Sequence, residues 1–220
     1  MKQQILVHPN DSGVIIVNYP GWNGDVNGYN NKYQKIADML CEKGVGAVVR
    51  TSNLQIEGID YAESVKDVLR RTIEHALQNR IAICGSDAPS IYLIGISAGA
   101  SAIAAVAHEY VHQDWGVEKI LLIAPSGDAG LDSIKTGLIN YTRDIYITVG
   151  ADDEVVGVGT AELFSRLAIV AKVNKLVVVP NCDHQFRGEV NGRILSKAPL
   201  WAFADDNTFP SPDGGIKLYD

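Results

Sequence analysis

A single serine joins a strand-like run to a helix-like run, and this junction constrains the fold more than any other stretch of the chain. Residues 90–96 read Ser-Ile-Tyr-Leu-Ile-Gly-Ile, an apolar run that is typical of a strand buried on both faces. Residues 98–107 are rich in alanine, which favours a helix packed close to a sheet. Between the two runs, Gly95-Ile96-Ser97-Ala98-Gly99 forms a G-x-S-x-G pattern in the strand-to-helix context that this motif needs.

The two glycines of this pattern suit a sharp turn at the serine. A serine in such a turn has a strained backbone, so the residues two positions away must carry almost no side chain. Gly95 and Gly99 meet that condition, which leaves Ser97 exposed at the edge of the sheet above the N-terminus of the helix. A glycine-rich joint with an incidental serine is the alternative interpretation. The flanking strand and helix favour a nucleophile at Ser97.

Strand-like and helix-like segments alternate along the rest of the chain. Strands are predicted at 3–7, 14–19, 45–51, 90–96, 119–124, 144–149 and 175–179. Helices are predicted around 33–40, from 60, from 98 to about 114, between 124 and 144, and at 160–171 and 195–204. This order predicts an α/β fold with a mostly parallel sheet and helices on both faces. We expect one domain over residues 1–220, with an irregular tail at 205–220.

The composition argues against several classes of protein. The net charge is −7 and no run of Lys or Arg occurs, which disfavours binding to a nucleic-acid backbone. No stretch of the sequence is apolar for long enough to span a membrane, and residues 1–10 lack the apolar core of a signal peptide. The three cysteines are widely spaced and form neither a disulfide framework nor a zinc motif. We therefore expect a cytoplasmic protein that binds neither nucleic acid nor membranes.

A nucleophilic serine needs a base and a carboxylate that orients the base, because its hydroxyl reacts poorly at neutral pH. In open parallel sheets such groups gather where the strands end. The segment after residue 149 carries Asp152, Asp153 and Glu154. The segment after residue 179 carries His184, which alone among the five histidines follows a strand end downstream of the serine. The chain order Ser, Asp, His is the order expected for a serine on a strand-to-helix turn.

With these residues the chain resembles an α/β-hydrolase over most of residues 14–203. Within that superfamily it is similar to the small hydrolases that have no cap domain. Their histidine loop reads roughly x-D-H-x-F-x-G, a pattern that Asp183-His184-Gln185-Phe186-Arg187-Gly188 fits. Their acid lies in G-x-x-D-x-x-V, which maps onto Gly150, Asp153 and Val156. The catalytic residues that the resemblance implies are Ser97, His184 and Asp153, with Asp152 and then Asp183 as alternative acids.

The same resemblance implies an oxyanion hole made of two backbone N–H groups. One belongs to Ala98, and the other comes from the loop at 20–24, with Trp22 as the donor and Asn23 as the alternative. Tyr19-Pro20 stands where a histidine often precedes the glycine of this loop, so the loop's supporting hydrogen bonds are not implied by the family. The side chains predicted to bind substrate, with core or loop packing as the alternative, are Trp22, Asn23, Tyr29, Val155, Val156 and Phe186.

A second motif competes with this interpretation. His108-Glu109-Tyr110-Val111-His112 is an H-E-x-x-H pattern on a predicted helix, which in zinc proteases supplies two ligands and a general base. The pattern begins about 16 Å along the helix from Ser97, at 1.5 Å per residue. No third ligand follows at the spacing that such enzymes need. We therefore expect the polar end of a surface helix, with neither a metal nor another cofactor.

The resemblance implies a serine hydrolase that acts on carboxylic esters or thioesters with small to medium acyl groups. Acyl transfer and the cleavage of amides or peptides use the same residues, and a non-catalytic binding protein of the same fold is the alternative from another class. The short segment between the strands at 119–124 and 144–149 leaves little room for a cap domain. We therefore expect an open, shallow cleft whose partner is a small acyl substrate.

Overall fold

The computed structural model describes residues 3–111 and 116–219, and the strands in these ranges form one seven-stranded sheet. The strands are β1 (Ile5–His8), β2 (Val14–Tyr19), β3 (Ala47–Thr51), β4 (Ser90–Ile96), β5 (Gly116–Ile123), β6 (Asp144–Gly150) and β7 (Val173–Val179). Across the sheet their order is β1-β3-β2-β4-β5-β6-β7. Strand β1 runs antiparallel to β3, and the other neighbouring strands are parallel. The predicted α/β class with a mostly parallel sheet is therefore confirmed.

The helices fall between the strands, as the alternation predicts. They are α1 (Lys32–Glu42), α2 (Tyr61–Gln78), α3 (Arg80–Cys84), α4 (Ala98–Val106), α5 (Leu131–Asn140), α6 (Val158–Leu167) and α7 (Glu189–Phe203). Helix α4 is shorter than expected, because a 3₁₀ turn over Ala107–Tyr110 follows it; its predicted end near residue 114 lies outside the described residues. Helix α7 begins at Glu189, six residues before its predicted start.

Different helices cover the two faces of the sheet, because side chains alternate in direction along each strand. In β2, Ile15 and Val17 pack in the core that is shared with α2, α4, α5 and α6. Ile16, between them, packs in the core that is shared with α1 and α7. All three side chains are fully buried. Burial of both faces explains why the central strands are continuous apolar runs instead of alternating ones.

Helix α4 is buried on every side, and its small residues make this packing possible. All nine of its residues are buried, and it contacts α2 and α5 as well as the sheet. A Cβ at Gly137 of α5 would lie 2.0 Å from the carbonyl oxygen of Ala104, so the two helices approach too closely there for any side chain. This packing holds in place the helix that begins directly after Ser97.

In the described part of the chain, no additional domain is inserted at the carboxyl ends of the parallel strands. Between β5 and β6 lie a loop and α5, which fits the expected absence of a large cap. The described part of the tail, 205–219, is irregular but well packed: the ring of Phe209 stacks on Trp201 at 4.7 Å, and Leu218 is fully buried. Among the helices in the described ranges, none is both long enough and apolar enough to cross a bilayer.

Candidate active site

Ser97 occupies a strained turn that its neighbouring glycines make possible. Its φ of +54° and ψ of −117° form a combination that residues with a side chain rarely adopt. A Cβ at Gly95 would lie 2.5 Å from the Cα of Ala100. A Cβ at Gly99 would lie 2.4 Å from the carbonyl oxygen of Tyr19. Both obstacles are main-chain atoms that cannot move aside, so the turn requires glycine on each side of the serine.

The structure brings Ser97, His184 and Asp153 into one hydrogen-bonded series. The Nδ1 of His184 is 2.8 Å from Oδ2 of Asp153, and its Nε2 is 3.2 Å from Oγ of Ser97. Asp153 follows β6 and His184 follows β7, so both lie in loops at the same edge of the sheet as the serine. The side chain of Asp153 is fully buried and that of His184 is 9% exposed. The series therefore opens to solvent mainly at its serine end.

The environment of Asp153 determines which nitrogen of His184 carries the proton. Burial opposes the charge of this carboxylate, but hydrogen bonds from the N–H of Val156 and from His184 outweigh burial and place the pKa of Asp153 below its ordinary value. The N–H of Val155 also donates to Asp153 Oδ1, at 2.9 Å. An ionised carboxylate only accepts hydrogen bonds, so His184 Nδ1–H is the donor. His184 Nε2 is then the nitrogen that can accept the hydroxyl proton of Ser97.

The two alternative acids have other surroundings. Asp152 is exposed, and its backbone N–H donates to the carbonyl oxygen of Cys182 at 2.9 Å. Asp183 is bonded to its own loop: its Oδ1 accepts from the N–H groups of Gln185 and Arg187, and its Oδ2 pairs with Arg187 at 3.3 Å. Cys182 is fully buried, and burial raises the pKa of its thiol to about 12, which does not suit a nucleophile.

The loop at residues 20–24 lies against the serine and is held by hydrogen bonds from a buried side chain. A Cβ at Gly21 would lie 3.3 Å from the Cβ of Ser97. The side-chain N–H₂ of Asn53 donates to the carbonyl oxygens of Pro20, at 3.2 Å, and Gly21, at 3.0 Å. The hydroxyl of Tyr19 lies 3.0 Å from Oδ1 of Asn53. Tyr19 and Asn53 thus provide the supporting hydrogen bonds that the resemblance did not supply.

Asn53 is a functional candidate that no sequence motif supports, although its place after a predicted strand allows contact with a substrate. It is fully buried and follows β3 by two residues, at the same edge of the sheet as the predicted catalytic groups. That position at a strand end is the signal that identifies such a residue. A buried asparagine whose side-chain oxygen and nitrogen are both hydrogen-bonded fixes the backbone it contacts.

Two cavities adjoin Ser97. The Ser126 cavity, about 460 Å³, is lined by Ser126, Asp128, Val156 and Thr160. The His184 cavity, about 400 Å³, is lined by Asn23, Asp25, Tyr29, Lys32, His184 and Gln185. Trp22 and Val155 line both cavities.

Five of the six side chains predicted to bind substrate therefore line these cavities. The prediction for Phe186 needs correction: it is 1% exposed and lies in the core with α1 and α7. Its position next to the histidine loop suggested a pocket residue, but its φ of +55° lies in the left-handed region and its ring is buried.

Polar groups that were not predicted line the Ser126 cavity. Ser126 Oγ–H donates to Oδ2 of Asp128 at 2.6 Å, and both residues lie in the loop that follows β5. The ring of Trp22 stacks on Tyr61 with 3.9 Å between centroids. Burial raises the pKa of Tyr61 to about 12, so its phenol stays protonated.

The H-E-x-x-H motif has a different environment. Glu109 pairs with Arg70 through contacts of 2.7 Å and 2.8 Å, and it lies in the 3₁₀ turn beyond α4. His112 lies outside the described residues. Within residues 3–111 and 116–219, no group of three or more His, Cys, Asp or Glu side chains is arranged to hold a metal ion.

Solved structures with similar backbones identify the architecture. Est1E from Butyrivibrio proteoclasticus has a TM-score of 0.68 at 14% identity, over 89% of this chain and 90% of its own. An alpha-beta serine hydrolase homologue from Coxiella burnetii has a TM-score of 0.66 at 19% identity, over 90% of this chain and 89% of its own. The Pyrococcus furiosus esterase Pf2001 has a TM-score of 0.66 at 12% identity, over 92% of this chain and 93% of its own. This chain has the α/β-hydrolase fold.

No protein-family model matches the sequence, and no curated protein matches it. The likeness therefore lies in the backbone. In this α/β-hydrolase fold the serine, the aspartate and the histidine follow β4, β6 and β7 in that order along the chain. That order is the one expected for the fold. The catalytic roles of the three residues stay predictions.

Proposed function

We propose that this chain is a serine hydrolase that cleaves carboxylic esters or thioesters of small to medium acyl size. The observation that carries the proposal is the series from Asp153 through His184 to Ser97, with contacts of 2.8 Å and 3.2 Å. The strained backbone at Ser97 adds support, because strain of this kind concentrates at functional sites. Esterases also occur among the structures with similar backbones, including Est1E and Pf2001.

The first half of the reaction forms an acyl-enzyme. Ser97 Oγ attacks the acyl carbon while His184 Nε2 takes the hydroxyl proton, and the carbonyl electron pair moves onto oxygen. The N–H groups of Ala98 and Trp22, with Asn23 as the alternative to Trp22, stabilise this oxyanion. Such donors contribute about 3–4 kcal/mol each to lowering the barrier. When the intermediate collapses, the bond to the alcohol or thiol breaks, and the leaving group takes the proton from His184.

Water completes the reaction. His184 Nε2 removes a proton from a water molecule as its oxygen attacks the acyl carbon, and a second oxyanion forms at the same N–H groups. Its collapse releases the carboxylic acid and returns the proton to Ser97. Asp153 holds the imidazole in the productive tautomer throughout and stabilises its charged form.

The rim of the cleft favours substrates of modest size. Trp22 is 56% exposed and Val155 is 71% exposed, and these apolar side chains line both cavities at Ser97. Exposed apolar side chains beside a nucleophile offer contact surface for an acyl chain. In the described part of the chain no cap domain roofs this surface, so a short acyl chain is covered better than a long one.

The test is a panel of p-nitrophenyl esters of increasing acyl length, matching thioesters and matching anilides, assayed with wild type and Ser97→Ala. We expect ester and thioester hydrolysis that is lost in Ser97→Ala and fastest with acyl chains of about two to six carbons. Faster anilide cleavage would assign an amidase or peptidase. Product formed only with an added alcohol or thiol acceptor would assign an acyltransferase. Hydrolysis at equal rates in both proteins would refute the proposal.

A further inference from the structure

Lys32 is a buried cation without an anionic partner. The residue is 6% exposed, and its ammonium makes no ion pair and no hydrogen bond with any residue in the described ranges. Its one polar contact there is with the ring of Tyr33, at 5.3 Å from the centroid. Buried lysines are almost always paired, because removing an ammonium from water is costly. The ammonium is not among the fully enclosed, unbonded polar atoms of the described residues, so it reaches the adjoining cavity, where water or a bound anion can satisfy it.

Lys32 borders a cavity that also contains Ser97. Lys32 lines the His184 cavity together with Ser97 and His184. It also lines a neighbouring space of about 580 Å³, here called the lysine cavity, together with Arg187, Glu189 and Lys217. Tyr29 and Gln185 line both spaces, so the two adjoin, and Ser97 and Lys32 line the same His184 cavity. One molecule can therefore reach the serine and the ammonium at the same time.

The local structure holds this cation where it is costly. Lys32 is the first residue of α1, at the helix end whose partial charge is positive and disfavours a cation. A Cβ at Gly28 would lie 3.1 Å from Cγ of Lys32, so the chain packs closely over the side chain. Desolvation by burial lowers the pKa of Lys32, the sign expected for an ammonium without a counterion.

The carboxylates that line these cavities already have partners. Asp25 Oδ1 accepts from the N–H groups of Asn27, at 2.7 Å, and Gly28, at 2.8 Å. Glu189 pairs with Arg193 at 3.2 Å. The Ser126 cavity, which also adjoins Ser97, holds the carboxylate of Asp128. An anionic substrate group is therefore favoured on the Lys32 side and disfavoured on the Asp128 side.

We propose that Lys32 binds an anionic group of the substrate, a carboxylate or a phosphate, while the scissile carbonyl lies at Ser97. The proposal rests on the proposed function and narrows its substrate class to esters or thioesters that carry a negative charge. Lys217 and Arg187 lie at the outer part of the lysine cavity, where they attract an anion toward Lys32. Lys32 is thus a specificity-determining residue that takes no part in the bond-breaking step.

The experiment compares charged esters with neutral ones of the same shape. For an anion in the acyl part, the pair is mono-p-nitrophenyl glutarate and p-nitrophenyl valerate. For an anion in the alcohol part, 4-acetoxybenzoate and 4-acetoxyphenyl phosphate are compared with 4-acetoxybenzamide, which separates carboxylate from phosphate. Each is assayed as kcat/KM with wild type, Lys32→Met and the control Lys43→Met. Lys43 is exposed and lies beyond the opposite end of the same helix. Lys43→Met therefore removes the same charge as Lys32→Met, but at a site away from the cavities.

We expect wild type to have a higher kcat/KM for the charged ester than for the neutral one in at least one comparison. Lys32→Met should lower this ratio about tenfold or more, because a charged contact is lost. In Lys32→Met, hydrolysis of the neutral ester falls by a smaller factor than hydrolysis of the charged ester, and Lys43→Met keeps the preference. If Lys32→Met loses activity on neutral esters as well, Lys32→Gln replaces it. No charge preference in wild type, or a preference that persists in the Lys32 variants, would overturn the proposal.

The same assays separate this proposal from the one on which it rests. Ester hydrolysis that is independent of Ser97, judged with Ser97→Ala, refutes the serine hydrolase itself. Hydrolysis that depends on Ser97 but shows no charge preference refutes only the role of Lys32.

Discussion

Two histidines in this molecule each pair with an aspartate through Nδ1. Comparing them shows what a histidine needs in order to act as the general base for a serine. His184 contacts Asp153 at 2.8 Å, and His8, at the end of β1, contacts Asp38 at 3.0 Å. Up to this point the two pairs are alike. They differ in what the second ring nitrogen faces.

At His8, the Nε2 lone pair is already occupied. The Nε–H of Arg50 donates to it at 2.9 Å, and the same guanidinium donates to the carbonyl oxygen of Val26 at 2.9 Å. At His184, Nε2 faces the hydroxyl of Ser97. A histidine–aspartate pair is therefore not a sufficient sign of catalysis. The partner of Nε2 decides whether that nitrogen can accept a proton.

The largest expected effect is the difference between removing each histidine. His184→Ala should reduce ester hydrolysis by about 10⁴-fold or more, because the serine loses its base. His8→Ala should leave kcat/KM within about threefold of wild type, because it lies outside the cleft. Steady-state hydrolysis of a short p-nitrophenyl ester measures both, with circular dichroism as the control for folding. Equal losses in the two variants would remove the distinction drawn here.

The aspartates should differ in the same way, by a smaller factor. Asp153→Asn should lower kcat by about 10³–10⁴-fold, because an amide can donate to Nδ1 and stabilise the wrong tautomer of His184. Asp38→Asn should change kcat by less than about threefold. The assay is kcat at saturating ester. A mild effect of Asp153→Asn would point to Asp152 or Asp183 as the acid.

Two buried polar residues of the β3 end brace neighbouring parts of one segment, which allows a third comparison. Asn53 holds the carbonyl oxygens of Pro20 and Gly21 beside Ser97, whereas Arg50 holds that of Val26, farther along the chain. Asn53→Ala should lower kcat by about 10- to 100-fold with little change in KM, because a displaced N–H stabilises the oxyanion less. Arg50→Met should lower the melting temperature with little change in kcat. A higher KM with an unchanged kcat for Asn53→Ala would contradict the positioning role of Asn53.

The smallest expected effect is on the pH dependence of stability. Burial, and then the charge of Arg50, lower the pKa of His8. Below about pH 6.5 the unfolded chain binds a proton at this residue that the folded protein does not, so stability falls as the pH decreases toward the folded pKa. His8→Gln should flatten this part of the curve, measured as the free energy of unfolding in urea between pH 5 and 7. An unchanged slope would show that His8 is not responsible.

The elements that could be predicted are those whose cause is local. Strand β2 follows from its apolar run. The turn at Ser97 follows from Gly95 and Gly99, where any side chain would clash with the main chain. The positions of Asp153 and His184 at strand ends also follow from the order of the elements. The early start of α7 does not, because Asn191 and Gly192 disfavour a helix, and Gly192 packs against the ring of Tyr219.

What could not be predicted depends on contacts between distant segments. Lys32 belongs to an amphipathic helix and reads as a surface residue, but it is buried and lies beside Gln185 and Tyr219, which are far along the chain. Asn53 gains its role only because Tyr19 and the loop at 20–24 come to lie around it. Phe186 matched a family motif, but its backbone conformation turns the ring into the core. Contacts between segments far apart in the sequence determine the environments of Lys32 and Asn53.

Covalent labelling of the serine tests the central claim most directly. A fluorophosphonate probe reacts with a serine hydroxyl only where a neighbouring base takes the proton, so it reports the base-activated serine without knowledge of the substrate. After labelling of the wild-type protein and digestion, mass spectrometry should find one modification on the peptide that contains Ser97, and His184→Ala should abolish it while His8→Ala keeps it. An unlabelled wild type, or a label on any other residue, would contradict the account.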